Sequence, residues 1–320
     1  MTTQAQRAPN LSGRALCSPA KVNLYLRIVG KRPDGYHELE TVMVPLDFGD
    51  QITFRPRASG ITLACNNPDL PIDDTNLALR AAKLFAKTFD IAKGVEITLR
   101  KLTPLAAGLG GGSSNAATVL LGLNRLWAVN APPDKLAPLA ASMGSDINFF
   151  LATSAALCRG RGEQVTPIPC KLSGAILLVN PGFGISTKWA YESLPRQSRG
   201  LPRSERNRAK AATESGLTPV HPAVSVLTRA LAEDDLAGVS RALFNSLEAP
   251  SIGKFPVLKL IKDTMRACGA AGALMSGSGA TVFGLFAETK DAARAAEKVR
   301  AEFGPSIWTQ ITRTAQAMSE

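Results

Sequence analysis

The fold is decided by a short glycine-rich stretch from Pro104 to Ala117, which reads Pro-Leu-Ala-Ala-Gly-Leu-Gly-Gly-Gly-Ser-Ser-Asn-Ala-Ala. An apolar, strand-like segment precedes it at 95–99, and a helix-forming run follows at 115–127. Glycine lets successive backbone amides converge, and a helix that begins at about Ser114 adds unpaired N–H donors and the positive end of its dipole. The order strand, glycine loop, helix therefore predicts a site for an anion such as phosphate.

Two other phosphate loops and a plain turn are alternatives to this interpretation. A Walker loop requires a lysine directly after its glycines, and none follows here. A Rossmann fingerprint requires a third glycine where Ser113 stands and a second strand where residues 131–134 read as a loop. Another nucleotide-binding fold and a purely structural turn stay open as the minor alternatives.

Composition and charge bound the class of protein. The 320 residues are 45% hydrophobic and carry a formal net charge of +11, which is typical of a globular chain with one or two buried cores and anionic partners. Nucleotides, nucleic acid and acidic membranes all fit that charge. Residues 1–14 lack the apolar core of a signal peptide, and no run approaches the roughly 20 apolar residues of a membrane span. We therefore expect a cytoplasmic protein.

Cysteines and histidines do not indicate a metal centre or a disulfide framework. The cysteines are odd in number and form no Cys-x-x-Cys pair, and the only histidines are His37 and His221. Zinc sites and disulfide scaffolds need closely spaced sets of ligands. We expect no metal held by protein ligands and five reduced, mostly buried thiols, at Cys17, Cys65, Cys158, Cys170 and Cys268.

Three polar groups stand out in the N-terminal half. Lys21 and Asn23 share one face of a strand predicted over 16–29, and in isolation that face is most simply a solvent-exposed edge. Tyr36 and His37 follow an Asp-Gly hairpin signal and are either surface residues or a platform that stacks on a flat ring and reads its polar edge. Asp146 follows Gly-Ser and is either a helix cap or a partly buried acid beside the phosphate site.

The other segments alternate between strands and helices, with a domain boundary near residue 165. A polar, arginine-rich stretch at about 195–218 reads as a solvated, mobile insertion, and it lacks the aromatic residues expected of a nucleic-acid contact. Strands are predicted at 39–46, 52–54, 61–64, 155–161, 165–168, 174–179, 270–275, 282–286 and 307–312. Helices are predicted at 76–88 with Asp74 and Thr75 as its cap, and at 133–143, 222–246, 256–268 and 290–303.

From about residue 16 to 311 the chain resembles the GHMP kinase superfamily. Three motifs occur in its order: a lysine-bearing N-terminal strand, the Pro-x-x-x-Gly-Leu-Gly-Gly-Gly-Ser-Ser loop, and the small-residue turn Ser-Gly-Ser-Gly-Ala-Thr at 276–281. The resemblance implies an α+β fold of two domains, 12–165 with the phosphate loop and 166–320 with the basic insertion near 195–218. It also implies an active site in the cleft between the domains.

Four stretches, at 19–24, 34–39, 144–146 and 275–281, are similar to one branch of that superfamily. This branch phosphorylates the 2-hydroxyl of 4-diphosphocytidyl-2-C-methyl-D-erythritol in the non-mevalonate isoprenoid pathway. The resemblance implies a small-molecule kinase with ATP as co-substrate and Mg²⁺ that travels with the nucleotide. It implies no nucleic-acid or membrane partner, and we expect a monomer or a weak homodimer.

The same resemblance assigns roles to individual residues. Asp146 would be the general base, and Lys21 would orient it and offset developing charge, which suits a reaction that depends on positioning and electrostatics. Tyr36 would stack on cytosine and His37 would read its polar edge. The substrate-binding set is Asn23, Tyr36, His37, Thr187, Tyr191, Gly277, Ser278 and Gly279. The ATP-binding set is Asn76, Leu77, Lys101, Pro104, Gly108, Leu109, Gly110, Gly111, Gly112, Ser113, Ser114 and Asn115.

The sequence departs from the family pattern at two places, and two rival interpretations of its function stay open. The basic insertion has no counterpart in the compact family pattern, and Asn148 stands where proline often follows the aspartate motif. A sister small-molecule kinase would share the phosphate loop but lack the platform of Tyr36 and His37. A nucleic-acid-binding protein with a kinase-like fold would bind RNA or DNA with a steep dependence on salt.

Overall fold

The structure, a computed structural model, describes residues 13–152, 154–194 and 220–315. Within these ranges the chain forms eleven strands and ten helices. The strands are β1 (Leu16–Lys31), β2 (His37–Arg57), β3 (Ile61–Cys65), β4 (Gly94–Arg100), β5 (Ala156–Gly160), β6 (Gln164–Pro167), β7 (Ala175–Asn180), β8 (Phe244–Asn245), β9 (Gly272–Met275), β10 (Val282–Phe286) and β11 (Trp308–Thr312). The helices are α1 (Leu77–Thr88), α2 (Gly111–Leu126), α3 (Pro133–Met143), α4 (Ile147–Leu151), α5 (Thr187–Glu192), α6 (Pro222–Ala232), α7 (Leu236–Ala242), α8 (Glu248–Lys254), α9 (Val257–Ala267) and α10 (Thr289–Phe303).

A long antiparallel hairpin, β1 with β2, is the centre of a seven-stranded sheet. The strand order is β3-β4-β2-β1-β8, with β5 also paired to β2 and β6 paired to β5. The predicted hairpin turn is confirmed, since Lys31 pairs with His37 across it and Gly35 has a φ of 87°. The strands predicted at 39–46 and 52–54 are one continuous strand, because the intervening residues keep pairing with β1.

The interpretation of the Lys21 and Asn23 face as a solvent-exposed edge is wrong. Strand β1 lies between β2 and β8, and both side chains are only 3% exposed. The second neighbour, β8, comes from residues 244–245 and pairs with β1 in parallel. The glycine loop and the turn at 276–277 lie against Lys21 and Asn23, since Lys21 Nζ donates to the Gly108 carbonyl and the backbone amide of Asn23 donates to the Ser276 hydroxyl. Contacts with segments so distant along the chain leave no local signal.

The first core lies between the seven-stranded sheet and helices α1 to α4. Its largest buried side chains include Phe54, Phe85 and Phe149. Helix α1 is capped by Asn76, whose Oδ1 accepts from the Ala78 amide at 2.9 Å. The predicted caps, Asp74 and Thr75, do not cap the helix. Thr75 instead donates from its amide and its hydroxyl to Asp73, in a turn before the helix.

Residues after β6 build the second sheet, with strand order β11-β7-β10-β9, on which α9 and α10 pack. The helix predicted over 222–246 is broken, because Asp234 has a φ of 58° and Asp235 starts α7 by accepting from the Gly238 amide at 2.8 Å. The domain boundary predicted near residue 165 stays a prediction. Strand β6 of the first sheet runs across it to Pro167, the second sheet begins with β7 at Ala175, and β8 returns to the first sheet. The predicted insertion at 195–218 lies outside the described residues.

Two further expectations concern thiols and membranes. The five cysteines are free, as expected, but of these only Cys158 is buried, and Cys17 is exposed. No helix in the described ranges has both the length and the apolarity needed to cross a bilayer.

Candidate active site

One cleft of about 910 Å³ lies between the glycine loop, strand β1, the β1–β2 hairpin, helix α5 and the turn at 277–278. Backbone hydrogen bonds from both halves of the chain hold the glycine loop in place. The Lys21 amide donates to the Leu109 carbonyl at 3.0 Å, and the Thr281 amide donates to the Ala107 carbonyl at 3.1 Å. Gly108 must be glycine, since its φ is 76° and a Cβ there would lie 2.1 Å from the Ser276 carbonyl oxygen.

The glycine loop presents the N-terminus of α2 to this cleft. The helix begins at Gly111, three residues before the predicted start, with Gly110 in the left-handed region at φ 72° and no side-chain cap. First-turn amides of a helix lack intrahelical partners and lie at the positive end of its dipole. Gly111, Gly112 and Ser113 line the cleft at this point, so the arrangement suits a polyphosphate.

Lys21 and Asp146 lie close together in the lining of the cleft. Lys21 Nζ lies 4.0 Å from Asp146 Oδ2, and the side chains are 3% and 38% exposed. The ammonium also donates to the Gly108 carbonyl at 2.8 Å and to Asn23 Oδ1 at 2.5 Å. Burial lowers the pKa of Lys21 and the nearby Asp146 charge opposes that shift. Asp146 precedes α4 without capping it, so its carboxylate is available to a ligand.

Lys101 is engaged in a buried ion pair beneath the loop. Its Nζ contacts Asp50 Oδ2 and donates to Thr103 Oγ1 at 3.0 Å. Asp50 Oδ1 accepts from the amides of Leu102 and Thr103 at 2.8 and 2.9 Å, and Asn115 Nδ2 donates to Oδ2 at 2.9 Å. Burial opposes ionisation of Asp50, but Lys101 and these hydrogen bonds outweigh it and lower its pKa.

Aromatic and cationic side chains form the end of the cleft beside the hairpin. The rings of His37 and Tyr191 lie 5.1 Å apart between centroids. Tyr36 is 53% exposed, and the guanidinium carbon of Arg161 lies 4.7 Å from its ring centroid. Burial, followed by the charge of Lys31, lowers the pKa of His37. A neutral imidazole is thereby favoured, with one donor and one acceptor for a polar ligand edge.

The cleft brings together most of the predicted site residues from distant parts of the chain. Two do not line it: Ser114 is fully buried with its hydroxyl 2.9 Å from that of Ser18, and Gly279 is buried behind the turn. Asn148 lies on α4 and donates to the Glu163 carbonyl at 3.2 Å. The lining residues are Lys21, Asn23, Tyr36, His37, Asn76, Leu77, Lys101, Pro104, Gly108, Leu109, Gly110, Gly111, Gly112, Ser113, Asn115, Asp146, Thr187, Tyr191, Gly277 and Ser278. Their individual roles stay predictions.

Sequence reasoning missed three residues at or beneath this cleft. Asp50 and Thr41 lie within strand β2, where nothing local distinguishes a buried acid or hydroxyl from an exposed one. Arg161 stands between two glycines at the end of β5. The pattern Gly-Arg-Gly at the end of a predicted strand indicates a turn with an exposed cation. Most such arginines are ordinary surface residues, so the pattern alone did not indicate a site.

Family models match both halves of the chain. The GHMP kinases N terminal domain matches residues 76–154, and the GHMP kinases C terminal domain matches residues 227–305. These matches and the two sheets confirm the expected α+β fold of the GHMP kinases.

Curated relatives and solved structures agree with the family matches. A 4-diphosphocytidyl-2-C-methyl-D-erythritol kinase of Pelotomaculum thermopropionicum is 41% identical over 283 residues, covering 88% of this chain and 92% of that protein. One of Geobacillus kaustophilus is 42% identical over 270 residues, covering 84% and 86%. A crystal structure of 4-(cytidine 5'-diphospho)-2C-methyl-D-erythritol kinase is 36% identical, with a TM-score of 0.75 over 94% of this chain and all of that one.

A more distant structure shares the fold alone. Homoserine kinase from Cytophaga hutchinsonii is 18% identical, with a TM-score of 0.66 over 98% of this chain and 97% of that one. The relatives at about 40% identity, by contrast, match across nearly the full length of both partners. The chain therefore belongs to the family of 4-diphosphocytidyl-2-C-methyl-D-erythritol kinases within the GHMP kinases.

Proposed function

We propose that this chain transfers the γ-phosphoryl group of ATP to the 2-hydroxyl of 4-diphosphocytidyl-2-C-methyl-D-erythritol. One observation carries the proposal: the pair Lys21 and Asp146 lines the same cleft as the glycine loop and the aromatic side chains beside the hairpin. The loop suits the polyphosphate of the donor, and the aromatic end suits the base of the acceptor. The reacting atoms would then meet between them.

Asp146 is the group placed to act on the acceptor hydroxyl. Its carboxylate accepts the hydroxyl proton as the oxygen attacks the γ-phosphorus, and the bond to the β–γ bridging oxygen breaks to release ADP. Lys21 is held within 4.0 Å of this carboxylate by a carbonyl and an amide oxygen. It offsets the negative charge that spreads over the transferred phosphoryl group.

The glycine loop is the proposed cradle of the ATP phosphates. Its amides converge at the start of α2, and Gly110 carries no Cβ that would meet the Phe150 ring at 2.9 Å. Asn76 and Leu77 also line the cleft, and a Cβ on Gly112 would lie 3.6 Å from Leu77 Cδ1. Both residues are proposed adenosine contacts. Lys101 supports this loop through its ion pair with Asp50. We propose that it binds ATP while it keeps this ion pair.

Mg²⁺ is proposed to enter with ATP. No group of three or more His, Cys, Asp or Glu side chains in the described ranges could hold a metal by itself. Mg²⁺ commonly keeps several waters and needs only one or two protein oxygens besides substrate phosphates. The cleft wall fits that requirement, because it offers the Ser113 hydroxyl and the Asp146 carboxylate. When bound, the ion would neutralise charge on the phosphates.

Three other expectations stay predictions: a cytoplasmic location, the absence of a nucleic-acid partner, and a monomeric or weakly dimeric state. Their tests are fractionation, salt-dependent titration with RNA and DNA, and sedimentation at several protein concentrations. They do not enter the catalytic proposal.

ADP release from MgATP tests the proposed function. Four acceptors are compared: 4-diphosphocytidyl-2-C-methyl-D-erythritol, mevalonate, homoserine and galactose. We expect turnover with the cytidine compound alone. Turnover with another acceptor and not with the cytidine compound would overturn the substrate assignment, and no turnover with any acceptor in folded protein would overturn the kinase proposal.

A further inference from the structure

Strand β2 has a gap in its pairing on the side that faces away from β1. On that side β5 pairs with residues 39–43 and β4 pairs with residues 51–57, so neither strand reaches residues 44–50. Pro45 and Leu46, within this gap, are buried. Because buried backbone N–H and C=O groups need hydrogen-bond partners, another segment has to pair with β2 here.

Residues 312–315, which we call the strap, fill this gap. The strap begins at the last residue of β11, a strand of the second sheet. The Asp47 amide donates to the Arg313 carbonyl at 3.0 Å, and the Ala315 amide donates to the Pro45 carbonyl at 2.8 Å. The strap therefore joins the second sheet to the middle of β2 in the first sheet.

The carboxylate of Asp47 holds the strap in this position. Its Oδ1 accepts from the Arg313 amide at 2.9 Å and also from the Thr312 hydroxyl. The Asp47 side chain is exposed, whereas Thr312 is only 5% exposed. At the other end of the strap, the Thr314 hydroxyl donates to the Leu172 carbonyl at 2.7 Å. One carboxylate oxygen thus binds two donors at the point where the strap meets β2.

The strap binds β2 where the pairing of β2 with β1 is interrupted by a bulge. Between the pair of Pro19 with Gly49 and the pair of Lys21 with Pro45, three residues of β2 oppose a single residue of β1. A bulge bends its strand and leaves the extra residues without partners on the neighbouring strand. The extra residues, 46–48, lie beside the strap instead, so the strap stabilises the bulge next to Lys21.

The backbone of Lys21 lies between the glycine loop and the residue that the strap holds. In alternate pairs of an antiparallel sheet, the N–H and C=O groups point away from the partner strand. The Lys21 amide accordingly donates to the Leu109 carbonyl at 3.0 Å. On the far side of the pair, the Pro45 carbonyl accepts from the strap. A displacement of Pro45 would therefore move Lys21 relative to the glycine loop and to Asp146.

We propose that Asp47 is a positioning residue for phosphoryl transfer, because it holds the strap against the bulge of β2 and so fixes the backbone at Lys21. The inference rests on the proposed function, in which Lys21 offsets charge on the transferred group. Asp47 does not line the cleft, so its loss should affect kcat rather than ligand affinity. Small misplacements of a catalytic group lower the rate steeply, by as much as about 10²-fold for 1 Å.

Amide hydrogen exchange in the ligand-free protein tests the positioning step directly. The exchange rates of the Lys21 amide and of the Ile97 amide, in β4 of the same sheet, are compared between the wild type and Asp47→Ala. We expect exchange at Lys21 to become roughly 10-fold faster, with Ile97 within about twofold of the wild type. An unchanged rate at Lys21, or an equal increase at both amides, would overturn the proposal.

Steady-state kinetics test the consequence for the reaction. In Asp47→Ala we expect kcat to fall by roughly 10-fold, with the KM values for ATP and for the acceptor within about threefold of the wild type. Asp47→Asn keeps an oxygen that accepts from both donors, so it should restore kcat and the exchange rate at Lys21. Wild-type kcat in folded Asp47→Ala would overturn the proposal, as would an asparagine variant as impaired as the alanine variant.

Two further variants separate positioning from loss of stability. Asp234→Ala removes a carboxylate that accepts from the amide and the hydroxyl of Ser173 at 2.9 and 2.7 Å, and it places alanine at a φ of 58°. We expect lower stability but wild-type kcat, and a loss of kcat equal to that of Asp47→Ala would overturn the proposal. Thr312→Val removes one of the two donors, and we expect a smaller loss of kcat. If Asp47→Ala does not fold, the same measurements on Thr312→Val decide the question.

The two assays keep this inference distinct from the proposed function. Turnover by the wild type with unchanged kcat in Asp47→Ala would remove the inference and leave the kinase proposal standing. Absence of turnover in the wild type would remove the kinase proposal and with it the catalytic consequence. Exchange at the Lys21 amide would still show whether the strap fixes that backbone, because it requires no activity.

Discussion

The side-chain amide of Asn23 takes its orientation from the hydroxyl of Thr41. Thr41 has a single hydroxyl hydrogen, which it donates to the Tyr25 carbonyl at 2.6 Å. It must therefore accept from Asn23, whose Nδ2 lies 2.9 Å away. The amide oxygen of Asn23 is thereby directed at Lys21 Nζ. The buried hydroxyl of Thr41 therefore positions Lys21 through Asn23.

Thr41→Val is expected to lower kcat by roughly 10-fold or more, because the amide of Asn23 loses the contact that fixes its orientation. Thr41→Ser keeps the hydroxyl and should retain most of the activity. Steady-state kcat and KM values, with thermal unfolding as a control for folding, check both. Wild-type kcat in a folded valine variant would show that Thr41 does not position Lys21.

Asp146→Asn removes the proposed proton acceptor with little change in shape. We expect turnover to fall by about 10²- to 10⁴-fold, measured as single-turnover ADP formation with ATP in excess. The side chain is 38% exposed, so the thermal unfolding midpoint should stay close to that of the wild type. Turnover within about threefold of the wild type would contradict the assignment.

Lys21→Met tests the second member of the pair. The methionine side chain fills most of the buried volume but cannot offset charge on the phosphoryl group, so we expect turnover to fall by about 10²-fold or more. Chemical denaturation must accompany the assay, because the Gly108 carbonyl and Asn23 amide lose their donor. Near-normal turnover in this variant would exclude Lys21 from the chemistry.

Asp50→Asn should destabilise the protein by about 3–5 kcal/mol, because it leaves Lys101 charged and buried without its partner. The measurement is the free energy of unfolding from urea titration. Asp263→Asn is the matched control, since Asp263 forms an exposed ion pair with Lys259, and we expect almost no change there. Equal losses in the free energy of unfolding of the two variants would show that the buried ion pair stabilises the fold no more than the exposed one.

The same pair predicts how stability depends on pH. The pKa of Asp50 is lowered in the folded state from its ordinary value of 3.8, so its stabilising contribution is complete above about pH 4 and is lost as the pH falls through the lower folded value. Wild-type stability should therefore decrease more steeply than that of Asp50→Asn below pH 4. Parallel profiles for the two proteins in that range would contradict the assignment.

We expect His37 to make acceptor binding, rather than stability, depend on pH. Its pKa lies below the ordinary 6.5, so the neutral ring is present above that value and the affinity for the cytidine compound should be flat from pH 7 upward. Affinity should fall at lower pH as the ring gains a proton and loses its acceptor. His37→Gln should remove this fall, and an identical acid limb in that variant would assign it to another group.

Local chemistry in the sequence was sufficient for many of the elements. The helix predicted at 133–143 has the observed bounds, with Pro133 in its first turn, and the Asp-Gly hairpin lies where it was expected. Glycine content identified the loop, although α2 starts inside the glycine run because Gly110 takes a positive φ. Apolar periodicity and turn residues are properties of neighbours in sequence, which explains these successes.

The parts that could not be predicted depend on contacts between distant residues. Burial of Lys21 and Asn23 requires the glycine loop and the turn at 276–277, and the ion pair of Lys101 requires an aspartate of β2. Arg161 reaches Tyr36 only because β5 pairs with β2 beside the hairpin. Resemblance to a family supplied much of the predicted site, but it had no position for Asp50, Thr41 or Arg161.

The close approach at Gly108 also restricts how the enzyme can move. The Ser276 hydroxyl donates to the Gly108 carbonyl at 3.0 Å, and Asn245 donates to the carbonyls of Met275 and Gly277 at 2.8 Å each. The floor of the cleft is thus tied to both halves of the chain by hydrogen bonds. We therefore expect any opening that releases product to occur at the rim, at the hairpin or α5, rather than at this floor.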